Sequence, residues 1–419
     1  MTERTVRNDR GPERRIQPAY AAALFAVLVL LSTRLLASAV RRHVLLTDES
    51  PLLYHAATLG FNYFDFGFVR RGLGGSLVSL LGPNRLLGTA IFHVLSAAAV
   101  ATLAALLFAR LRRPPLQCGV FGLLVLALML RWAEDPGRTD LMVAALLAAA
   151  VVAVTRGRFA WACAWIAVGL AVHETAVIFG VPLLVGMLVD QERWRGLGRQ
   201  GLVRGGAVLI AGIVLYGLAT FLPHADVPTM VSAVRAQLPR HLYVDWAIYF
   251  AVSGVRGVRT SLCQNFGDPT YPLHLATGLL VIGIYALLLR ERRGPVWVSA
   301  CLVSIPPFLF LGVVANDISR WTVLAAFNVW LLSAAAAGQT ESAPGGRPLA
   351  RLLAAALVIP LIHPKTWPID DPIFSPAPVI DHLVLRLGGP RTPRFADALA
   401  RCDPQWHSVL DAHSPSARP

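Results

Sequence analysis

Apolar runs recur along most of the chain, parted by short polar stretches rich in arginine, acid, glycine or proline. They lie at 19–40, 86–109, 117–131, 140–155, 159–172, 174–189, 204–222, 272–290, 295–315, 320–337 and 349–363. Their length and continuous apolar character predict helices in a membrane. With about eleven such runs the chain reads as an all-α polytopic membrane protein. Several runs are shorter than the roughly 20 residues that a perpendicular span needs. The two that meet at residues 172–174 fit broken or re-entrant helices as well as full spans. The run at 19–40 is too long for a signal-peptide core, and no small-residue cleavage site precedes Arg41. It reads as an uncleaved anchor whose Arg34 reaches for the interface or faces the bundle interior.

The polar stretches alternate in character. Those expected inside, such as RLRRPP (110–115), TRGR (155–158), DQERWRGLGRQ (190–200) and RERRGP (290–295), are arginine-rich. GQTESAPGGR (338–347) carries one arginine and is followed by Arg351. The positive-inside rule then puts the N-terminus in the cytoplasm. The opposite stretches hold most acids near a membrane end: Asp48, Glu49, Asp65, Glu134, Asp135, Asp140, Glu174 and Asp317. A single polar cavity opening to the outer face is the expectation. Three parts follow: a basic cytoplasmic N-terminus (1–18), a transmembrane domain (19–363) with outer loops at 41–85 and 223–271, and a proline-rich outer tail (364–419). Within 223–271, MVSAVRAQL and WAIYFAVSGV read as amphipathic helices on the membrane surface.

Composition changes this picture little. Charged residues make up 15% of the chain, against about 25% in soluble domains, and mean hydropathy is +0.58. The net charge of +14 is accounted for by topology-setting loops that meet anionic membrane lipid, so nucleic acid is not an expected partner. Lys365 is the only lysine, and the Ala, Leu, Gly and Pro excess fits a GC-rich bacterial genome. Cys118, Cys163, Cys263, Cys301 and Cys402 form no CxxC pair and are expected to pack as small apolar side chains rather than bind metal or form disulfides.

Candidate chemistry sits in the outer stretches. Asp48 and Glu49 follow the first run directly; such acids serve as a general base on a hydroxyl or bind Mg²⁺, Mn²⁺ or Ca²⁺. Their simpler reading is as solvated acids at the N-terminus of a helix over 51–59. In FGFVRRGLGG, Arg70 and Arg71 offer bidentate contacts to phosphate, and the glycines allow close backbone approach; an interfacial helix with aromatic anchors is the other reading. AEDPGRTD groups Glu134, Asp135, Arg138 and Asp140 about a Pro136-Gly137 turn, or simply caps a helix at Thr139 or Asp140. His173 and Glu174 interrupt an apolar stretch, where polar residues are costly; on a continuous helix they point about 100° apart. Asp317 and Arg320 share a helical face, as a phosphate site or as a structural ion pair with Trp321 anchoring the interface. No P-loop, HExxH, GxSxG or Rossmann fingerprint is present.

The run DESPLLYHAA resembles the first outer loop of the GT-C superfamily of integral membrane glycosyltransferases, through Asp48, Glu49, Tyr54, Ala56 and Ala57. FGFVRRGLGG is more loosely similar to segments of bacterial exopolysaccharide membrane proteins. The GT-C resemblance implies a polyprenyl-phosphate-linked sugar as donor, a cell-envelope glycan or lipid as acceptor, and an acid (Asp48 or Glu49) as catalytic base. The site would face the exterior of a bacterial inner membrane. Arg70, Arg71, Asp135, Arg138, His173, Glu174, Asp317 and Arg320 become the expected substrate-binding residues, with Mg²⁺ or Mn²⁺ as a cofactor the acids would admit. Two rivals stand beside it. One is an O-antigen or exopolysaccharide polymerase or ligase acting on polyprenyl-diphosphate glycans. The other is a lipid or glycan transporter, which calls for inverted repeats that the sequence does not display.

Overall fold

A computed structural model of the protein describes residues 51–66, 71–82, 84–108, 139–189, 198–221, 226–238, 244–245, 247–248, 255–267, 271–289, 295–315, 317–336 and 401–402. The apolar runs at 19–40, 117–131 and 349–363, the N-terminal 1–18 and nearly all of the tail lie outside these residues. So do Asp48, Glu49, Arg70, Glu134, Asp135, Arg138 and Cys118.

Every regular element among the described residues is a helix. Before the bundle come α1 (Pro51–Thr58), the single turn α2 (Tyr63–Phe66) and α3 (Gly72–Leu81). The bundle holds α4 (Arg85–Phe108), α5 (Asp140–Thr155), α6 (Phe159–Val172), α7 (Thr175–Val189) and α8 (Gly198–Phe221). After α9 (Val227–Ala236) and α10 (Val255–Gly267) it resumes with α11 (Tyr271–Leu289), α12 (Pro295–Val314) and α13 (Ile318–Ala336). Each apolar run inside the described residues is a helix close to its expected bounds, except that the run expected from 204 starts as a helix at Gly198.

α5 and α13 form the centre. α5 is apolar on all sides, and a helix with no polar face has to be buried all round; from Val143 to Val154 all but Ala149 are buried. It packs on α4, α6, α7 and α13, while α13 also meets α7, α11 and α12. Prolines interrupt the ladders of α7 (Pro182) and α12 (Pro306, Pro307). A proline removes the N–H that would bond the carbonyl four residues back, which for Pro307 is that of Val303. Asn328 of α13 supplies a donor from outside: its Nδ2 lies 3.4 Å from the Val303 carbonyl and 2.9 Å from that of Phe179. Interhelical amides of this kind tie proline-bearing helices together in apolar surroundings.

α8 lies on the outside, against α6. Gly205 and Gly212 let the two backbones come close: a Cβ at Gly205 would stand 2.3 Å from the Phe159 ring, and one at Gly212 2.6 Å from Ala167. The opposite side of α8 exposes Val203, Ile210, Leu215 and Leu218; Trp161 of α6 and Phe310 of α12 are exposed as well. Apolar side chains so placed suit contact with lipid. Among the described residues, α4 (over Arg85–Leu103) and α8 (over Arg199–Leu218) are long and apolar enough to cross a membrane. α5, α6 and α7 have 16, 14 and 15 residues, about 21–24 Å at 1.5 Å per residue. That is below the roughly 30 Å hydrocarbon thickness, so the expectation of full spans here is met by shorter apolar helices.

A second, smaller core joins the two expected outer loops. Ala56, Ala57, Phe61 and Phe66 pack with Met230, Val234, Leu238, Val244, Ala247 and Ile248. Arg85, at the start of α4, bonds Asp65 (3.0 Å), Gln237 (2.6 Å) and Ser79 (2.5 Å) across the same junction. α9 is amphipathic as expected for MVSAVRAQL, with Met230 and Val234 inward. Asp226 caps it, accepting from the Thr229 hydroxyl and backbone N–H, and these bonds hold its carboxyl below the usual range. Of WAIYFAVSGV only residues 247–248 and 255 are described.

The cysteine expectation needs correction. Cys263 of α10 and Cys402 form a disulfide, with Cα atoms 5.7 Å apart. Their separation of 139 residues leaves no local spacing signal, so only the folded chain reveals the pair. Cys163 is a buried free thiol and Cys301 a half-buried one, both in apolar helices.

Candidate functional site

Breaks between helices bring the polar residues to one end of the bundle. α3, α5, α7 and α13 begin there, and α6 and α12 end there. Carboxylates at helix N-termini meet the positive end of the helix dipole, which accounts for the placing of Asp140, Glu174 and Asp317.

Arg71 precedes α3 in the left-handed region, at φ 61°, where a non-glycine residue is uncommon. Its Nε donates to Glu174 Oε2 at 2.8 Å. Both terminal nitrogens of Arg71 are without a partner among the described residues. The glycines after it have a structural use. A Cβ on Gly75 would stand 2.2 Å from the Phe61 carbonyl oxygen, and one on Gly74 3.0 Å from Leu59 and 3.8 Å from Thr139. They let α3 press against the 59–61 segment and the start of α5.

Asp140, the first residue of α5, has no exposed surface. Arg320 grips it bidentately, Nε to Oδ2 at 2.6 Å and Nη2 to Oδ1 at 2.9 Å. Its Nη1 donates to Asp317 Oδ2 at 2.6 Å. All three guanidinium nitrogens are thus committed to carboxylates, and the group stacks 4.8 Å from the Trp321 ring centre.

His173 and Glu174 do not diverge as they would on a continuous helix. α6 ends at Val172, His173 is extended, and α7 starts at Thr175. The break turns both side chains the same way, with His173 Nδ1 3.5 Å from Glu174 Oε2. The Thr175 backbone N–H donates to His173 Nδ1 at 3.2 Å, and the Thr175 hydroxyl lies 3.0 Å from the same nitrogen. A donor aimed at Nδ1 assigns a neutral imidazole with its proton on Nε2. The buried ring lies within electrostatic reach of Arg71 and Glu174 and of Arg320 and Asp140.

Sequence reasoning missed Tyr216. It lies on the otherwise apolar α8, and its hydroxyl donates to Glu174 Oε1 at 2.9 Å. Glu174 is therefore held on both oxygens, by Arg71 and by Tyr216. The available signal was a lone phenol inside an apolar run, whose hydroxyl has to find a partner.

Arg71, His173, Glu174, Asp317 and Arg320 thus come together with Asp140 and Tyr216, while Asp48, Glu49, Arg70, Asp135 and Arg138 are outside the described residues. Among the described residues no three His, Cys, Asp or Glu side chains are grouped to hold a metal ion. Asp140 and Asp317 are bridged by a guanidinium instead, an arrangement unsuited to sharing a divalent cation. The cluster's three carboxylates, Asp140, Glu174 and Asp317, outnumber its two guanidiniums, and Arg320 is fully committed. Among the described residues the guanidinium donors left to meet a bound group are the terminal nitrogens of Arg71.

The molecule is an apolar helical bundle with a charged cluster at one end. No protein-family model matches the chain, and no characterised protein matches it in sequence. Among solved structures it is similar to arabinosyltransferase EmbB from Mycobacterium smegmatis, at 14% identity and a TM-score of 0.37. The match covers 92% of this chain and 41% of that one, so the chain spans about two fifths of that protein's length. A likeness of this degree carries no argument about function, which rests on the residues themselves.

Proposed function

We propose that the chain is an integral membrane glycosyltransferase that moves a sugar from a polyprenyl-phosphate donor to a cell-envelope glycan or lipid acceptor at the outer face of a bacterial inner membrane. The observation that carries the reading is the meeting of Arg71, His173 and Glu174 with the Arg320–Asp140–Asp317 cluster at one end of an apolar bundle. A lipid-borne phosphate needs this combination of apolar surround and oriented donors.

In the reaction an acceptor hydroxyl attacks the anomeric carbon, and the bond from that carbon to the phosphate oxygen breaks. Negative charge grows on the leaving phosphate. The terminal nitrogens of Arg71 and the Nε2–H of His173 donate to it, with Arg70 beside them in the chain. Glu174 fixes the direction of Arg71 and is itself fixed by Tyr216. Arg320, fully engaged by Asp140 and Asp317, positions the starts of α5 and α13. Asp135 and Arg138, which precede Asp140 closely in sequence, belong in this reading to the sugar site. Asp48 or Glu49 takes the acceptor proton. The acids Asp48 and Glu49 would admit Mg²⁺ or Mn²⁺ beside the donor phosphate.

The test is turnover of radiolabelled lipid-linked sugars by the purified protein, with a membrane extract as acceptor and the lipid product identified. Release of polyprenyl monophosphate, abolished by Asp48→Asn or Glu49→Gln at normal protein level, is the expected result. Full activity in both variants overturns the base assignment. Release of polyprenyl diphosphate with chain growth makes the protein a polymerase instead.

A further inference from the structure

The Cys263–Cys402 disulfide joins α10 to a residue far along the chain, and its place in the bundle ties it to the charged end. Two residues beyond Cys263, Asn265 Nδ2 donates to the carbonyls of Val313 (3.1 Å) and Ala315 (3.4 Å). The Tyr271 hydroxyl, at the start of α11, donates to the Gly312 carbonyl and to that of Ala315 (3.2 Å). These carbonyls close α12. Asp317 follows at once, and Arg320 reaches from there to Asp140. The disulfide-bearing helix therefore braces the turn that presents the Arg320 cluster.

The other end of the bundle has the opposite character. Arg156 and Arg158 lie in the turn from α5 to α6, and Arg199 and Arg204 in the first turns of α8, all exposed. Between Asp140 and that turn runs the whole of α5, 16 residues or about 24 Å. Among the described residues of these turns there is no acid. Exposed arginines also stand beside the disulfide, at Arg259 and Arg401, but the clusters on that side mix arginine with carboxylate, whereas the described arginines of the other end have no acid in their turns. An acid-free arginine end suits the cytoplasmic side, while disulfides persist in oxidising compartments and are rare in the cytosol. The two signals come from different residues and agree.

We infer that the Cys263–Cys402 bond forms on the oxidising side of the membrane, and that the Arg71–Glu174 and Arg320–Asp140 clusters lie on that same side, because α10, which carries Cys263, holds the α12–α13 turn through Asn265. Its formation is a two-electron oxidation. The two thiols lose two protons and two electrons to a disulfide oxidoreductase of that compartment, whose own disulfide is reduced to two thiols. The inference rests on the chain being a membrane protein and is independent of sugar transfer.

The experiment uses the full chain in the inner membrane of a Gram-negative host. Free thiols are blocked with a permeant maleimide, and non-reducing digests are read by mass spectrometry. A peptide pair joined through Cys263 and Cys402 that disappears on reduction is expected. A membrane-impermeant phosphine followed by an impermeant maleimide should label both residues in spheroplasts and neither in inverted vesicles. In Cys402→Ser, Cys263 should take the impermeant maleimide in spheroplasts without reductant. Free thiols at both positions in the wild type overturn the proposal, as does labelling confined to inverted vesicles. No sugar substrate enters the measurement, so a protein inactive in transfer still gives a decisive answer.

Discussion

Glu174 is the residue at which the charged end of the bundle is tied together. It accepts from Arg71 on one oxygen and from Tyr216 on the other, and the two donors come from α8 and from the turn before α3. A hydrogen bond to a charged group contributes about 1.5–3 kcal/mol where solvent is largely excluded; Glu174 keeps about a quarter of its side chain exposed (23%), so the low end applies. Tyr216→Phe removes one of the two ties and keeps the ring. Transfer should fall about tenfold, the rate equivalent of roughly 1.4 kcal/mol, with the helical circular-dichroism signal retained. An unchanged rate would remove Tyr216 from the positioning role. His173 and Glu174 were legible in the sequence as polar residues in an apolar stretch, but their shared direction was not, because it depends on α6 ending at residue 172. Tyr216 showed in the sequence as a lone phenol in an apolar run, but its pairing did not, because its partner is 42 residues away.

Among the elements, α3 shows how a sequence motif changes meaning in the fold. RRGLGG reads as a phosphate loop, since arginine and glycine together suggest one. Gly75 instead makes room for the Phe61 carbonyl, which would stand 2.2 Å from an added Cβ. Gly75→Ala should destabilise the protein by about 1–3 kcal/mol, the usual cost of overpacking against backbone, visible as a lower thermal midpoint in detergent. Gly82→Ala, at a position with nothing within 4 Å, should leave that midpoint unchanged. Equal midpoints for Gly75→Ala and the wild type would show that α3 does not press on this segment. The longer helices were readable in outline because each follows a continuous apolar run. Their stacking order was not: the apolar surround of α5 gives it no preferred face, so its central place depends on its neighbours. The Asn328 bonds to Phe179 and Val303 likewise need three helices to be in position first.

At the scale of the whole molecule, charge is sorted to the two ends of an apolar body. Among the described residues, Arg156, Arg158, Arg199 and Arg204 stand at one end with no acid in their turns, while at the other end arginines and carboxylates are mixed and largely paired. The sequence already displayed this sorting as alternating loops. It did not display that Arg320 is saturated by Asp140 and Asp317, whereas among the described residues Arg71 binds Glu174 through Nε alone. That difference turns the phosphate reading towards Arg71 and makes Arg320 a brace. It also sets the most direct test. Arg71→Gly removes the guanidinium while suiting the left-handed backbone. Relief of about 1 kcal/mol of strain offsets part of the lost bond to Glu174, and the thermal midpoint separates lost chemistry from a lost fold. The measurement is release of polyprenyl monophosphate from a radiolabelled polyprenyl-phosphate sugar by purified wild type and Arg71→Gly, with thermal midpoints recorded on the same samples. Release by the wild type is expected, with a loss of about a hundredfold in the variant, equivalent to about 2.7 kcal/mol of transition-state stabilisation, and similar midpoints. Equal release by both proteins, or none by a folded wild type, would contradict the phosphate reading.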